Sequence, residues 1–352
     1  MCFCICLLCV YMHTLPFLLR TRVSFVLSTL LFIFNNVYAQ TCSKTAQGLT
    51  TTEMTVISKV STLATTQWLR KQIGSSNTAT RALRILDTSF VRDKQVDTYT
   101  MDYLEGHIPQ ALFFDLHKCV ESTPSIPRNL PDPACFTSYV RKLGIWPDTH
   151  VVAYDRFGPA SAYRTWWLFR LYGHTNISVL DGGYRKWVAD GYDTTKEEPE
   201  VEPSMFIPQL DRFLVRTFDD MAENLRTCRE QVVDARGATD RAVVDTESGG
   251  GKIPGSRHVS FEELFNEDGT MKTEEQLKSM FDDAGLNLQR PLVATCNTGM
   301  TACGVAAAAH ILGRDIPVYY GSWTEWRQRA REEHTYSGCT EQQDVLKNGL
   351  GL

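Results

Sequence analysis

The stretch Pro291-Leu292-Val293-Ala294-Thr295-Cys296-Asn297-Thr298-Gly299-Met300-Thr301-Ala302-Cys303 passes from an apolar run to a cysteine, then through a loop with one glycine. The small, alanine-rich segment 304–309 follows. The pattern reads as a buried strand, a short loop and a helix. It predicts a sulfur atom at a helix N-terminus, where unpaired N–H groups and the positive end of the dipole favour negative charge. A thiolate held there is a good nucleophile. Taken alone, the loop also suits a buried structural cysteine.

Working outward, the same pattern occurs twice. Leu292-Val293-Ala294-Thr295-Cys296 lines up with Val151-Val152-Ala153-Tyr154-Asp155. Leu83-Arg84-Ile85-Leu86-Asp87 is echoed by Gln231-Val232-Val233-Asp234, and Gly106-His107-Ile108-Pro109 by Gly251-Lys252-Ile253-Pro254. Leu180-Asp181-Gly182-Gly183 with Trp187 matches Tyr319-Tyr320-Gly321-Ser322 with Trp326. The offset between copies drifts slowly from 147 to 139 residues, as expected of two homologous domains with small length changes. Apolar runs alternate with helical segments predicted over 133–143, 161–172, 183–190, 274–284 and 301–312. Such alternation implies an α/β fold with a parallel sheet covered by helices in each copy. Ligands of such sheets bind beyond the strand C-termini. Cys296 and Asp155 both stand on that edge.

The expected organisation is a targeting segment or non-native extension over 1–53, an N-terminal domain over 54–190 and a linker over 191–212. A C-terminal domain over 213–335 and a tail over 336–352 complete it. The first 52 residues contain no Asp or Glu, and Arg20 and Arg22 precede an apolar run. This fits a secretory signal, an organelle-targeting segment, a short anchor, or translation that truly begins at Met54. Cytoplasmic or mitochondrial residence is expected, with the secretory pathway as the alternative if the apolar segment is genuine.

Composition narrows the function classes. The chain has 352 residues, 43% hydrophobic and 22% charged, as in ordinary globular proteins. A net charge of −5 without a basic cluster argues against nucleic acid, and the folded domains are expected to need no membrane. Of the 11 cysteines, those after residue 42 show no Cys-x-x-Cys pair and no zinc-type spacing. They read as thiols that pack or react rather than bridge, and Cys119, Cys135, Cys228 and Cys339 have no evident partners. No metal or organic cofactor is implied.

Several motifs together are specific: Gly106-His107-Ile108-Pro109 with Phe113-Phe114-Asp115, Tyr163-Arg164-Thr165-Trp166-Trp167, and Val232-Val233-Asp234-Ala235-Arg236. The Cys296 loop and Gly321-Ser322-Trp323-Thr324-Glu325-Trp326 complete the set. From about Val60 to Arg331 the chain resembles the two-domain rhodanese superfamily of sulfurtransferases. The resemblance implies two tandem rhodanese-like domains, of which only the second is catalytic, with Asp155 in the cysteine's place in the first. It implies that Cys296 takes sulfur from a small-molecule donor as a persulfide and passes it to a thiol acceptor such as thioredoxin.

The same resemblance assigns roles. Thr298 and Thr301 are expected to serve catalysis by their hydroxyls, although Thr298 also suits a turn and Thr301 a helix cap. Asn297, Gly299 and Met300 are expected to hold substrate through the loop, and Arg241 to bind the donor anion. Thiosulfate-using members carry basic residues after the cysteine, whereas Asn297 and Thr298 are neutral. Mercaptopyruvate-using members have a serine where Thr298 stands, so mercaptopyruvate is the expected donor and thiosulfate the alternative. This chain lacks the family's usual second anion-binding arginine before Gly251. It has His117 and Arg128 where an acidic residue and a histidine are common. Those departures also admit a catalytically weak sulfur-binding or scaffold protein. A cysteine phosphatase or arsenate reductase would need an arginine where Thr301 or Ala302 stands. Arg236 is expected to be an ion-pair partner, and the tryptophans to be packing residues.

Overall fold

The computed structural model describes residues 60–75, 81–91, 96–237 and 251–334. The expected N-terminal segment, Arg241, Cys339 and the tail lie outside the described residues.

In the first half, β1 (Leu63–Ala64), β2 (Leu83–Asp87), β3 (Ala111–Phe113), β4 (His150–Tyr154) and β5 (Ile177–Leu180) form one sheet in the order β1-β5-β4-β2-β3. In the second, β6 (Val215–Arg216), β7 (Gln231–Asp234), β8 (Arg257–His258), β9 (Leu292–Thr295) and β10 (Val318–Tyr319) take the order β6-β10-β9-β7-β8. Every strand pairing is parallel. Counted from the first strand of each half, the two orders are the same. The repeat read from sequence is thus a repeat of topology. It places β4 and β9 in equivalent positions, with Asp155 and Cys296 just past their ends.

Among the described residues, four α-helices accompany each sheet. They are α1 (Thr66–Gly74), α2 (Pro133–Lys142), α3 (Ala160–Leu171) and α4 (Gly183–Ala189), then α5 (Phe218–Thr227), α6 (Glu274–Asp283), α7 (Ala302–Ile311) and α8 (Ser322–Arg329). The five helices expected from sequence appear within one residue at either end. Local chemistry explains their starts. Asp132 accepts from the Cys135 N–H ahead of Pro133, and Thr273 with Gln276 forms a reciprocal capping box.

Helices α3 and α7 are buried nearly all round, as expected of elements packed on both sides. They lie against each other, so one apolar core runs through both halves. Alanines allow the close approach, and a Cβ at Gly304 would overlap the Phe261 ring. Trp166, Trp167, Trp187, Trp323 and Trp326 are buried, as expected. The Trp167 indole donates to the Leu214 carbonyl at 3.0 Å. At the rim, Asp315 accepts from Arg170 of α3 at 2.9 Å and contacts the His310 ring at 2.6 Å.

The stretch between the halves runs back over the first. Thr195 exchanges two backbone hydrogen bonds with His107, and the Ser204 N–H donates to the Arg141 carbonyl at 2.9 Å. The cysteines correct one expectation. Cys119 and Cys135 form a disulfide with Cα atoms 5.5 Å apart and 16 residues apart in sequence. The antiparallel bridge between Val120 and Pro131 brings the two ends together, a closure that no short spacing motif signals. Cys228 is also disulfide-bonded. Among the described residues the free cysteines are Cys296 and Cys303.

Candidate active site

Cys296 follows β9 directly, and the chain turns through Gly299 before entering α7. Gly299 has φ +80°, and its N–H points back at the Cys296 Sγ at 3.1 Å. A side chain here meets two obstacles: the left-handed backbone disfavours a Cβ, and that Cβ would lie 2.5 Å from the Tyr320 carbonyl oxygen. The loop is clamped from below, where the Trp323 and Thr324 N–H groups donate to the Cys296 and Asn297 carbonyls at 3.0 Å each.

Ser322, which the sequence does not single out, also lies beside the sulfur. Its Oγ accepts from the Cys296 N–H at 3.1 Å and lies 3.8 Å from Sγ. One hydroxyl proton cannot serve two acceptors, and the 2.7 Å contact to the Tyr319 carbonyl is the stronger claim on it. Its signal is present in the Gly321-Ser322-Trp323 motif, beside the two tryptophans.

Above the sulfur lies a cavity of about 230 Å³ walled by both halves. The second half contributes Cys296, Asn297, Thr298, Met300 and Thr301. The first contributes Phe90, Arg128, Asp155 and Ser161, among others. The structure therefore brings together all the expected site residues it describes, with Gly299 acting through its N–H. Thr301 occupies the N-cap position of α7 without a side-chain capping bond, so the capping alternative for its hydroxyl fails. A second cavity of about 320 Å³ at the edge of the first sheet shares Asp155 and Gly158 with this one.

The charged groups have separate tasks. Arg236 pairs with Asp234 through Nε at 3.0 Å and Nη2 at 2.6 Å, and Nη2 also donates to the Gly251 carbonyl at 2.8 Å. This is the expected ion pair. Burial pushes the Asp155 carboxyl up to about 6, against the Ser161 hydroxyl and the N–H groups of Phe157 and Ser161 that donate to it. Cys303 is fully buried, which pushes its thiol up to about 12, and its Sγ donates to the Gly299 carbonyl at 3.3 Å. Arg164 of α3 donates to the Gly299 carbonyl at 3.0 Å and to the Arg128 carbonyl at 3.0 Å, so it ties the cysteine loop to the opposite wall. Among the described residues no cluster of His, Cys, Asp and Glu is arranged to hold a metal ion.

A family profile described as the rhodanese-like domain matches residues 65–190 and 217–329. The chain belongs to the rhodanese family. Its relatives are sulfurtransferases, and the chain is one of these enzymes, with two rhodanese-like domains. It is 40% identical over 281 residues to a thiosulfate sulfurtransferase of Cricetulus griseus, covering 77% of this chain and 93% of that one. It is 38% identical over 282 residues to a 3-mercaptopyruvate sulfurtransferase of Rattus norvegicus, covering 78% and 95%. The crystal structure of SseA from Escherichia coli, described among 3-mercaptopyruvate sulfotransferases, superposes with a TM-score of 0.67 at 29% identity, covering 75% and 99%. No helix among the described residues is long and apolar enough to cross a membrane.

Proposed function

We propose that this sulfurtransferase takes sulfur from 3-mercaptopyruvate through a persulfide on Cys296 and delivers it to a thiol such as thioredoxin. One observation carries the choice of donor. The two residues after Cys296 are neutral, and Thr298 lines the cavity. A dianionic donor such as thiosulfate calls for positive charge in that loop, whereas departure of an enolate calls for a proton source.

The first step forms the bond between Cys296 Sγ and the donor sulfur and breaks the donor's carbon–sulfur bond. The electron pair leaves on the pyruvate enolate, which takes a proton to become pyruvate. In the second step an acceptor thiolate attacks the outer sulfur, and Cys296 leaves as thiolate. Splitting the transfer in this way is covalent catalysis with double-displacement kinetics. The Gly299 N–H, aimed at Sγ, supports the negative sulfur in both steps. Thr301 and Met300 shape the cavity around it. Arg241 is proposed to assist with the donor's charge.

Intact-mass spectrometry of the chain after incubation with each donor tests the reading. A gain of one sulfur with mercaptopyruvate is expected, removed by dithiothreitol and absent in Cys296→Ser. A gain with thiosulfate alone would replace the donor assignment, and no gain with either would favour a sulfur-binding role.

A further inference from the structure

Any donor of this class carries negative charge a few bonds from the sulfur it gives up. The neutral loop after Cys296 offers no cation to meet it, so any charge not met by Arg241 falls to the cavity wall. Two arginines among the described residues line that wall, Arg128 and Arg236. Arg236 is largely committed to Asp234 and the Gly251 carbonyl. Its Nη1 is buried and has no hydrogen-bond partner among the described residues. The carboxylates on the same wall are engaged by neighbours, Asp155 by Ser161 and Glu262 by the Ser260 hydroxyl at 2.9 Å.

Arg128 also has partners, its Nη1 donating to the Pro127 carbonyl at 3.3 Å, and it is held in place from several directions. Its guanidinium carbon lies 4.6 Å above the Phe90 ring, which also lines the cavity. Its carbonyl accepts from Arg164, the residue that also binds the Gly299 carbonyl beside the sulfur. The loop that carries it is closed by the Cys119–Cys135 disulfide. A cation fixed in this way needs little ordering when an anion arrives, and a guanidinium suits the planar fork of a carboxylate.

We propose that Arg128, supplied by the half without the cysteine, binds the anionic end of the sulfur donor, with Arg236 Nη1 as a second contact. This makes the first domain a contributor to donor specificity. The inference rests on the sulfur-transfer chemistry proposed at Cys296, and its test separates the two. Alkylation of Cys296 by iodoacetate and by uncharged iodoacetamide, followed by peptide mass spectrometry, reads the anion site without any sulfur donor. In Arg128→Gln the iodoacetate rate should fall about tenfold, the size of one charge-assisted hydrogen bond, while the iodoacetamide rate stays within about twofold. The KM for mercaptopyruvate should rise by a similar factor with kcat changed less, and Arg128→Lys should recover part of both effects. An unchanged ratio of the two alkylation rates, or an equal loss with both reagents, would overturn the proposal. Wild-type protein that shows the alkylation preference but transfers no sulfur would refute the sulfur-transfer reading and leave the anion site standing.

Discussion

The two halves carry the same strand, loop and helix and use them differently. After β4, the Asp155 carboxylate accepts from the N–H groups of Phe157 and Ser161 and from the Ser161 hydroxyl. The loop donors are consumed within the loop. After β9, the cysteine is a poor acceptor, and the Gly299 N–H remains directed at its sulfur. The residue at the strand end therefore determines whether the donors hold the loop together or face a free sulfur. The neighbouring acid shows a second difference. In the first half Asp87 is neutralised by Arg156, which follows Asp155, at 3.1 Å. In the second, Asn297 occupies the corresponding position, and Asp234 is neutralised by Arg236 instead. Both arginines also donate to an equivalent glycine carbonyl, Gly106 or Gly251. Moving the cation keeps the structural pair and leaves the loop after the cysteine uncharged.

This comparison can be broken by experiment, most strongly at the cysteine. Cys296→Ser should lower sulfur transfer by about a thousandfold or more with the fold retained, while Asp155→Ser leaves transfer measurable; steady-state assays with circular dichroism check both. Next come the equivalent glycines. Gly299→Ala should reduce kcat about a hundredfold because it displaces the N–H from the sulfur. At Gly158 a Cβ meets nothing within 4 Å, although its φ of +151° still strains an alanine, so Gly158→Ala should lower stability somewhat and change kcat far less than Gly299→Ala.

Third, Asp155 should impose a pH slope on stability. Its carboxyl is raised from 3.8 to about 6, so the folded chain holds an extra proton between those values and stability falls as pH rises through that window. Asp155→Asn should remove a total change on the order of 3 kcal/mol across that window in urea unfolding series. The smallest effect concerns the rim between the halves. His310 and then Arg170 hold the Asp315 carboxyl well below the usual range, so the pair stabilises the fold above the ordinary carboxylate value and weakens as pH falls below it. Because Asp315 is partly exposed, Asp315→Asn should cost about 1 kcal/mol or less, read as a small drop in Tm at neutral pH.

Much of this arrangement was legible in the chain. Apolar runs and matched motifs revealed the repeat because buried parallel strands and their turn residues leave compact signatures. Three helices escaped notice. Helix α5 has a Thr217–Asp220 capping box, but its short amphipathic pattern follows the proline- and acid-rich linker closely. Helix α8 was read only as a motif, and α1 has no acidic residue in its first turn to mark a start. The cysteine loop was legible because its chemistry is local. Ser322, Arg128 and the Cys119–Cys135 bond depend on contacts between distant segments, which a linear pattern does not display.

The Cys119–Cys135 bond closes a loop of a length for which cross-linking contributes about 3 kcal/mol, and Arg128 rides on that loop. Thiols of the kind proposed as acceptors at Cys296 are also reductants able to open such a bond. Progress curves in excess dithiol should therefore bend as the loop loosens, whereas curves with cyanide as acceptor should stay straighter. Order of addition would then be an experimental variable, and activity would depend on the thiols the enzyme had met.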